Sequence, residues 1–322
     1  MNAISRQPFV KDVDRASREE ISKLGALNSA RFCFALGGDL ALSVGAIALS
    51  EHFLFNPLIY VVSVVLIGSR LHALGILMHD CVHYRAFKTR KLNMLVGELL
   101  AWSVLTTAEG YRNNHLTHHR YLNTNNDPDW ARKSEQQSFK FPKRKRDLFW
   151  TMLYQVCGLG IIELFLSVSK NAQMKQISTV TRISRLAFYI VVLMICAFAG
   201  LLGKIALYWL VPMISAFPLL AYIRSAAEHH GGLEYDHAYR SSRTTIPSRW
   251  EAFLIMPHNV GYHLEHHLYP HVPFYRLEAL HRLLMQRASY AENAHVTHGV
   301  CAGLLKEFIG AGTHETSRYH AV

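Results

Sequence analysis

Four stretches of the chain lose almost all of their polar positions: about Phe32–Ser50, Pro57–Met78, Leu186–Leu202 and Ile205–Ile223. Each is close to the roughly 20 residues that carry a helix across about 30 Å of hydrocarbon, so the pattern predicts four transmembrane helices. Two weaker apolar stretches, Leu92–Thr107 and Leu148–Val168, are short or interrupted by Glu98 and Glu163, and read as re-entrant or interfacial helices. The links Glu51–Asn56 and Gly203–Lys204 leave room only for tight turns, so the spans pair as two hairpins. Asp39 and Glu163, inside apolar runs, should face the protein interior or the interface. The expected fold is an all-α membrane protein: four transmembrane helices in two hairpins, re-entrant or interfacial helices, and a cytosolic helical cap that bears the chemistry. Its parts are an N-terminal arm over 1–29, a membrane domain over 30–285 and a C-terminal tail over 286–322.

Charge fixes the expected orientation. The 34 Lys and Arg exceed the 23 Asp and Glu, for a formal net charge of +11, yet charged residues make up only 18% of the chain. Of those basic residues, Lys204 alone lies in the two links. By the positive-inside rule, both termini and the long middle and C-terminal segments are cytosolic. In a membrane setting the excess positive charge suits anionic lipid or an acidic protein rather than nucleic acid; the run Lys143-Arg144-Lys145-Arg146 is either such a contact or a solvated cluster. Arg6, Lys11, Asp12 and Asp14 give the first 29 residues the wrong composition for a cleaved signal peptide. The five cysteines include no Cys-x-x-Cys pair, which argues against disulfides and cysteine-based metal sites.

Histidine carries the candidate chemistry. Eight of the 20 histidines fall in three tight groups: His79-x-x-x-His83, His115-x-x-His118-His119 and His263-x-x-His266-His267. Residues three and four apart share a helix face, so each group presents two or three imidazoles from one stripe. Two hairpins return the chain to the cytosolic side, where all three groups can meet provided Leu92–Thr107 does not cross. Eight imidazoles exceed the four ligands of a closed zinc site and suit two metals. Imidazole binds Fe, Zn, Cu and Ni, so spacing does not name the metal. A metal pair beside apolar helices, with no nucleophilic triad or nucleotide loop, points to chemistry on an alkyl chain, and breaking an unactivated C–H bond calls for iron with O2.

These groups, with His72-Ala73-Leu74 before the first, Asp127-Pro128-Asp129 after the second and Asn259-Val260-Gly261-Tyr262 before the third, resemble the membrane fatty acid desaturase and hydroxylase superfamily. The stretch Leu268-Tyr269-Pro270-His271-Val272-Pro273-Phe274 is similar to bacterial-type acyl desaturases, and the likeness covers roughly 30–285. It implies a multi-pass integral membrane enzyme, in a cytoplasmic or inner membrane if bacterial, with two histidine-bound irons, O2 as co-substrate and a lipid or acyl substrate. It also implies an external electron donor of ferredoxin, rubredoxin or cytochrome b5 type, and a further histidine after span four, assigned to His229 with His230 as the alternative.

Around the nine candidate ligands His79, His83, His115, His118, His119, His229, His263, His266 and His267, the residues Asp80, Asn259 and Glu265 are candidates to orient imidazoles from behind. Asn259 qualifies as four residues before His263 on an expected helix. Asp127 and Asp129 have the same potential, although Asp127-Pro128 is equally a helix-start signal. His72, on the stripe of His79, reads as a packing or orienting residue, and His258, His271, His281, His295 and His298 as surface or interfacial ones. Glu-x-x-His spacings at Glu234/His237, Glu278/His281 and Glu292/His295 lie outside the apolar helices that a carboxylate-bridged di-iron bundle needs. The expected reaction is O2-dependent introduction of a C=C bond into an acyl chain. Alternatives are hydroxylation of an alkyl, carotenoid or sphingolipid chain by the same site, and desaturation of a small specialised metabolite. A metal transporter, remote because its ligands should line a path across the membrane, completes the alternatives.

Overall fold

The computed structural model describes residues 15–163, 171 and 175–310. In chain order the main elements are α1 (Arg15–Leu24), α2 (Ser29–His52), α3 (Pro57–Val82), α4 (Arg90–Ser103), α5 (Ala108–Tyr121), α6 (Pro128–Lys133), α7 (Lys145–Val156), α8 (Thr179–Phe198), α9 (Leu202–His229), β1 (Thr244–Ile246), α10 (Arg249–Leu254), α11 (His263–Leu268), α12 (Leu277–Leu284) and β2 (Val296–His298). The chain is mostly helical. Against an all-α expectation, β1 and β2 pair in parallel, Thr244 opposite Val296 and Ile246 opposite His298. Two compact units form: one from Asn28–Asn113 with Met152–Tyr222, the other from Asn114–Thr151 with Ile223–Val322 and the residues up to Leu27.

The first unit holds the apolar helices. Among the described residues four helices, α2, α3, α8 and α9, are long and apolar enough to cross a membrane. Their starts follow local chemistry: Asn28 caps α2 by accepting the Arg31 N–H at 3.1 Å, and Asn56 caps α3 ahead of Pro57. The helix α8 begins at Thr179, before the expected Leu186, because Ser178 caps it at 3.2 Å and two arginines inside its early turns disguised it in the apolar pattern. A π turn at Ala206–Leu210 interrupts α9 just before Pro212, whose missing N–H cannot continue the regular ladder.

Between α2 and α3, Ser63 donates to the Ala46 carbonyl at 2.9 Å and Arg70 to Asp39 at 2.9 Å, a register that makes the pair an antiparallel hairpin. Asp39 thus faces the interior, as its place in an apolar run requires. With both side chains buried, Asp39→Ala strands a guanidinium and is expected to cost about 3–5 kcal/mol, read as a lower unfolding midpoint in detergent; pairing Asp39→Leu with Arg70→Met should recover most of it. An unchanged midpoint for the single variant would show the pair to be dispensable.

Helix α4 ends after 14 residues and the chain turns back into α5. Glu98 accepts the Glu109 N–H at 2.8 Å across the turn, and Gly97 sits so close that an added Cβ would lie 3.3 Å from that of Ala108. The carbonyls left open at the end of α4 find side-chain donors: Tyr189 donates to Trp102 O at 2.8 Å and Trp209 Nε1 to Ser103 O at 2.9 Å. A helix end satisfied this way can reverse among apolar helices without water. Of the other short stretch, Leu148–Val168, the residues 164–168 lie outside the described ones.

In the second unit, the amphipathic α12 buries Leu277, Leu280 and Leu284 against Ile21 of α1, Tyr262, Leu264 and Tyr290. The described part of the expected arm is therefore docked, with Arg276 donating to the Lys23 carbonyl at 2.5 Å. The expected tail over 286–322 is also largely built in, its residues 311–322 lying outside the described ones: it supplies β2, and Glu307 pairs with fully buried Arg243 at 2.8 Å. Arg243 donates as well to the carbonyls of Ala227, His230 and Gly231, which closes the end of α9. Burial alone would raise the Glu307 carboxyl, but His295, Arg243 and Thr297 together bring it down to about 2.

Candidate metal centre

Seven histidines meet inside the second unit. On α5, His115 and His119 lie one turn apart on one stripe while His118 turns to the side; α11 repeats this with His263 and His267 on a stripe and His266 beside it. The result is two sets. His118, His229, His263 and His267 form one, each offering a ring nitrogen within 4.8 Å of the others. In it the Nε2 atoms of His118 and His229 are 3.1 Å apart, those of His263 and His229 2.8 Å, and those of His267 and His263 2.9 Å. His115, His119 and His266 form the other, with Nε2 of His119 2.9 Å from His115 and 3.0 Å from His266. In the first unit, His79 and His83 stand together at the end of α3 with ring centroids 4.8 Å apart, and Asp80 Oδ1 lies 3.7 Å from Nδ1 of His79.

Carboxylates behind the first set decide what its nitrogens present. Asp127 Oδ2 is 2.8 Å from Nδ1 of His118, and Glu228 Oε1 is 3.2 Å from Nδ1 of His263. A carboxylate there keeps the proton on Nδ1 and turns the Nε2 lone pair inward. Burial and the neighbouring imidazoles hold His263 well below its ordinary value, so it stays neutral. Buried, inward-facing lone pairs at these separations repel one another unless a cation lies among them, and neutral imidazole is a good ligand for iron, zinc or copper. The donor set fits a metal ion.

The alternatives around the ninth histidine separate cleanly in space. His229 points into the first set, while His230 turns away and stacks on Trp130, centroids 5.8 Å apart and planes within 5°. Burial, then Lys133 and Arg243, push His230 down to about 3, so it too is a neutral ring. Asp127 fills both roles read for it, since its Oδ1 also caps α6 by accepting the N–H of Asp129 at 2.9 Å and of Trp130 at 3.2 Å.

Other orienting candidates face elsewhere. Asn259 is not on a helix: it has φ +55, α11 begins only at His263, and its side chain donates to the Phe274 carbonyl at 3.1 Å. Glu265, fully buried, pairs with His281 Nδ1 at 2.5 Å, Tyr290 at 2.6 Å and Thr244 at 2.7 Å rather than with an imidazole of either set. His281, expected at the surface, is buried by that contact, and His295 meets Glu307 at 2.8 Å. His72 is buried on α3 two turns before His79. Asp129 accepts from Asn114 at 3.0 Å and pairs with Arg132 and Lys133.

Glu228 and Arg243 escape a reading of motifs. Glu228 is held by Arg224 at 2.6 Å, one helical turn earlier, and that i, i+4 spacing was the available signal. Nothing near Arg243 in the sequence points to its role.

The fatty acid desaturase family model matches residues 55–299. Among curated relatives, the dihydrorhizobitoxine desaturase of Bradyrhizobium elkanii is 27% identical over 252 residues, covering 73% of this chain and 70% of that protein. The endoplasmic reticulum acyl-lipid omega-3 desaturase (cytochrome b5) of Arabidopsis thaliana is 27% identical over 260 residues, covering 74% and 65%. The chloroplastic sn-2 acyl-lipid omega-3 desaturase (ferredoxin) of Helianthus annuus is 26% identical over 264 residues, covering 74% and 58%. The chain thus spans less than two thirds of the length of the two plant proteins.

Proposed function

The chain belongs to the fatty acid desaturase family, and on that premise we propose that it is an O2-dependent di-iron desaturase that places a C=C bond in an acyl chain. The observation that carries this reading is the pair of imidazole sets, one of them backed by Asp127 and Glu228. His118, His229, His263 and His267 hold one iron; His115, His119 and His266, completed by His79 and His83 of the first box as the family pattern implies, hold the other. Iron bound there supplies the oxidising power of O2 toward an unactivated C–H bond.

The chain's own residues do the rest. Asp127 and Glu228 fix tautomer and ring direction, so that Nε2 stays a ligand through repeated turnovers. The apolar helices hold the alkyl chain, and because a methylene offers no polar handle, bond position follows from chain depth and head-group anchoring. The distribution of basic residues supports an active site on the cytosolic side. Relatives named for cytochrome b5 and ferredoxin support electrons from an outside protein. A relative named for dihydrorhizobitoxine keeps a substrate other than a fatty acid as a second reading.

The test is expression in a host of defined lipid composition, with mass spectrometry of every acyl class. The intact chain is expected to yield species lighter by two hydrogens, absent when His115, His118 and His119 are replaced by alanine. Species heavier by one oxygen would identify a hydroxylase, and an unchanged lipid profile would contradict an acyl-lipid substrate.

A further inference from the structure

A ladder of rings runs from the surface of the second unit to His230. Tyr235 is 38% exposed, and its ring packs edge-on against Trp130, centroids 4.5 Å apart. Trp130 in turn lies parallel to buried His230, the chain neighbour of His229. The backbone also connects to the set of His229: the main-chain N–H of Trp130 donates to Asp127, whose other oxygen holds His118. Electron transfer weakens steeply with distance and with gaps between atoms, and a ladder of closely packed rings shortens the gaps it must cross.

The surroundings are basic. Between Pro128 and Asp147 stand seven Lys and Arg against three Asp and Glu. Asp129 is already paired with Arg132 and Lys133, and Asp147 with Arg144. Lys133 and Lys143 lie over the rings of Phe139 and Phe141, and the Phe139 ring is 4.9 Å from His230. Arg144 and Arg146 are exposed. A positive rim around a path that ends at a surface ring steers an acidic protein to one spot.

We propose that Tyr235, Trp130 and His230 are the entry route for electrons, and that the basic rim of residues 132–146 docks an acidic one-electron carrier protein. The inference rests on the di-iron reading. Each carrier molecule is oxidised by one electron, which reduces one ferric ion to ferrous. Two such electrons with two protons, together with the two hydrogens of the substrate, convert O2 to two waters.

The experiment uses the full chain in nanodiscs with its iron, in the ferric state, mixed anaerobically with a reduced plant-type [2Fe–2S] ferredoxin as probe. Stopped-flow absorbance follows oxidation of the ferredoxin. Trp130→Leu is expected to slow transfer at saturating ferredoxin by an order of magnitude with iron content and reduction by dithionite unchanged, whereas Trp130→Phe keeps most of the rate. Lys143→Glu with Arg146→Glu should lower the second-order rate about tenfold or more and flatten its dependence on salt. Normal transfer in Trp130→Leu overturns the route. If the charge reversals weaken only binding to phosphatidylglycerol vesicles, the rim serves lipid and the docking assignment falls. A wild-type protein without iron would instead sink the di-iron reading, an outcome the iron analysis separates from the other two.

Discussion

Alanine at His118 is expected to leave the purified protein with one iron ion in place of two and with no measurable desaturation. His118 is the residue of α5 that belongs to the first set, its Nε2 3.1 Å from that of His229, while its neighbours His115 and His119 serve the other. Its removal takes away the imidazole that Asp127 holds at 2.8 Å and leaves that buried carboxylate with the backbone donors at Asn123, Asp129 and Trp130. Asp127 still caps α6, so the local fold survives and the loss is of metal rather than of structure. Iron analysis beside circular dichroism separates the two. Two irons per chain in a folded His118→Ala protein would remove His118 from the ligand set.

The second large effect is expected at Glu228. Replacing a carboxylate that orients a ligand imidazole costs roughly 10–100-fold in metal affinity or activity. In Glu228→Ala, His263 loses the group that fixes its tautomer, and Arg224 loses its buried partner at 2.6 Å. In Glu228→Gln, a neutral carbonyl can still accept from Nδ1, so part of the affinity should return. If orientation is the role, the weakened iron affinity recovers in part with Gln and kcat falls while the substrate KM holds. A role confined to packing would lower the unfolding midpoint equally in both variants and leave iron affinity untouched.

The reach of the sequence differs between the membrane helices and the site. Apolar length located the four long apolar helices among the described residues, because an unbroken apolar run leaves a continuous mark. It misjudged ends where polar residues belong to the helix: Arg182 and Arg185 early in α8, and Arg224, Glu228 and His229 at the close of α9. Histidine spacing brought out the groups on α5 and α11, since i, i+3 and i, i+4 on a helix are geometric statements. Spacing could not say that each group divides between two sets, with His118 parting from His115 and His119, because that division depends on how α5 and α11 face each other. Asn259 was misread for a related reason: four residues before His263 is one turn only if the helix extends there, and at φ +55 it does not. Arg243 and Glu307, 64 residues apart, meet through the β1–β2 pairing, a tertiary contact with no local trace.

The most direct measurement is metal analysis of the purified wild-type chain with X-ray absorption at the iron edge. Two irons per chain, coordinated mainly by imidazole nitrogen, is the expected result. A single ion, zinc in place of iron, or a first sphere dominated by carboxylate oxygen would contradict it.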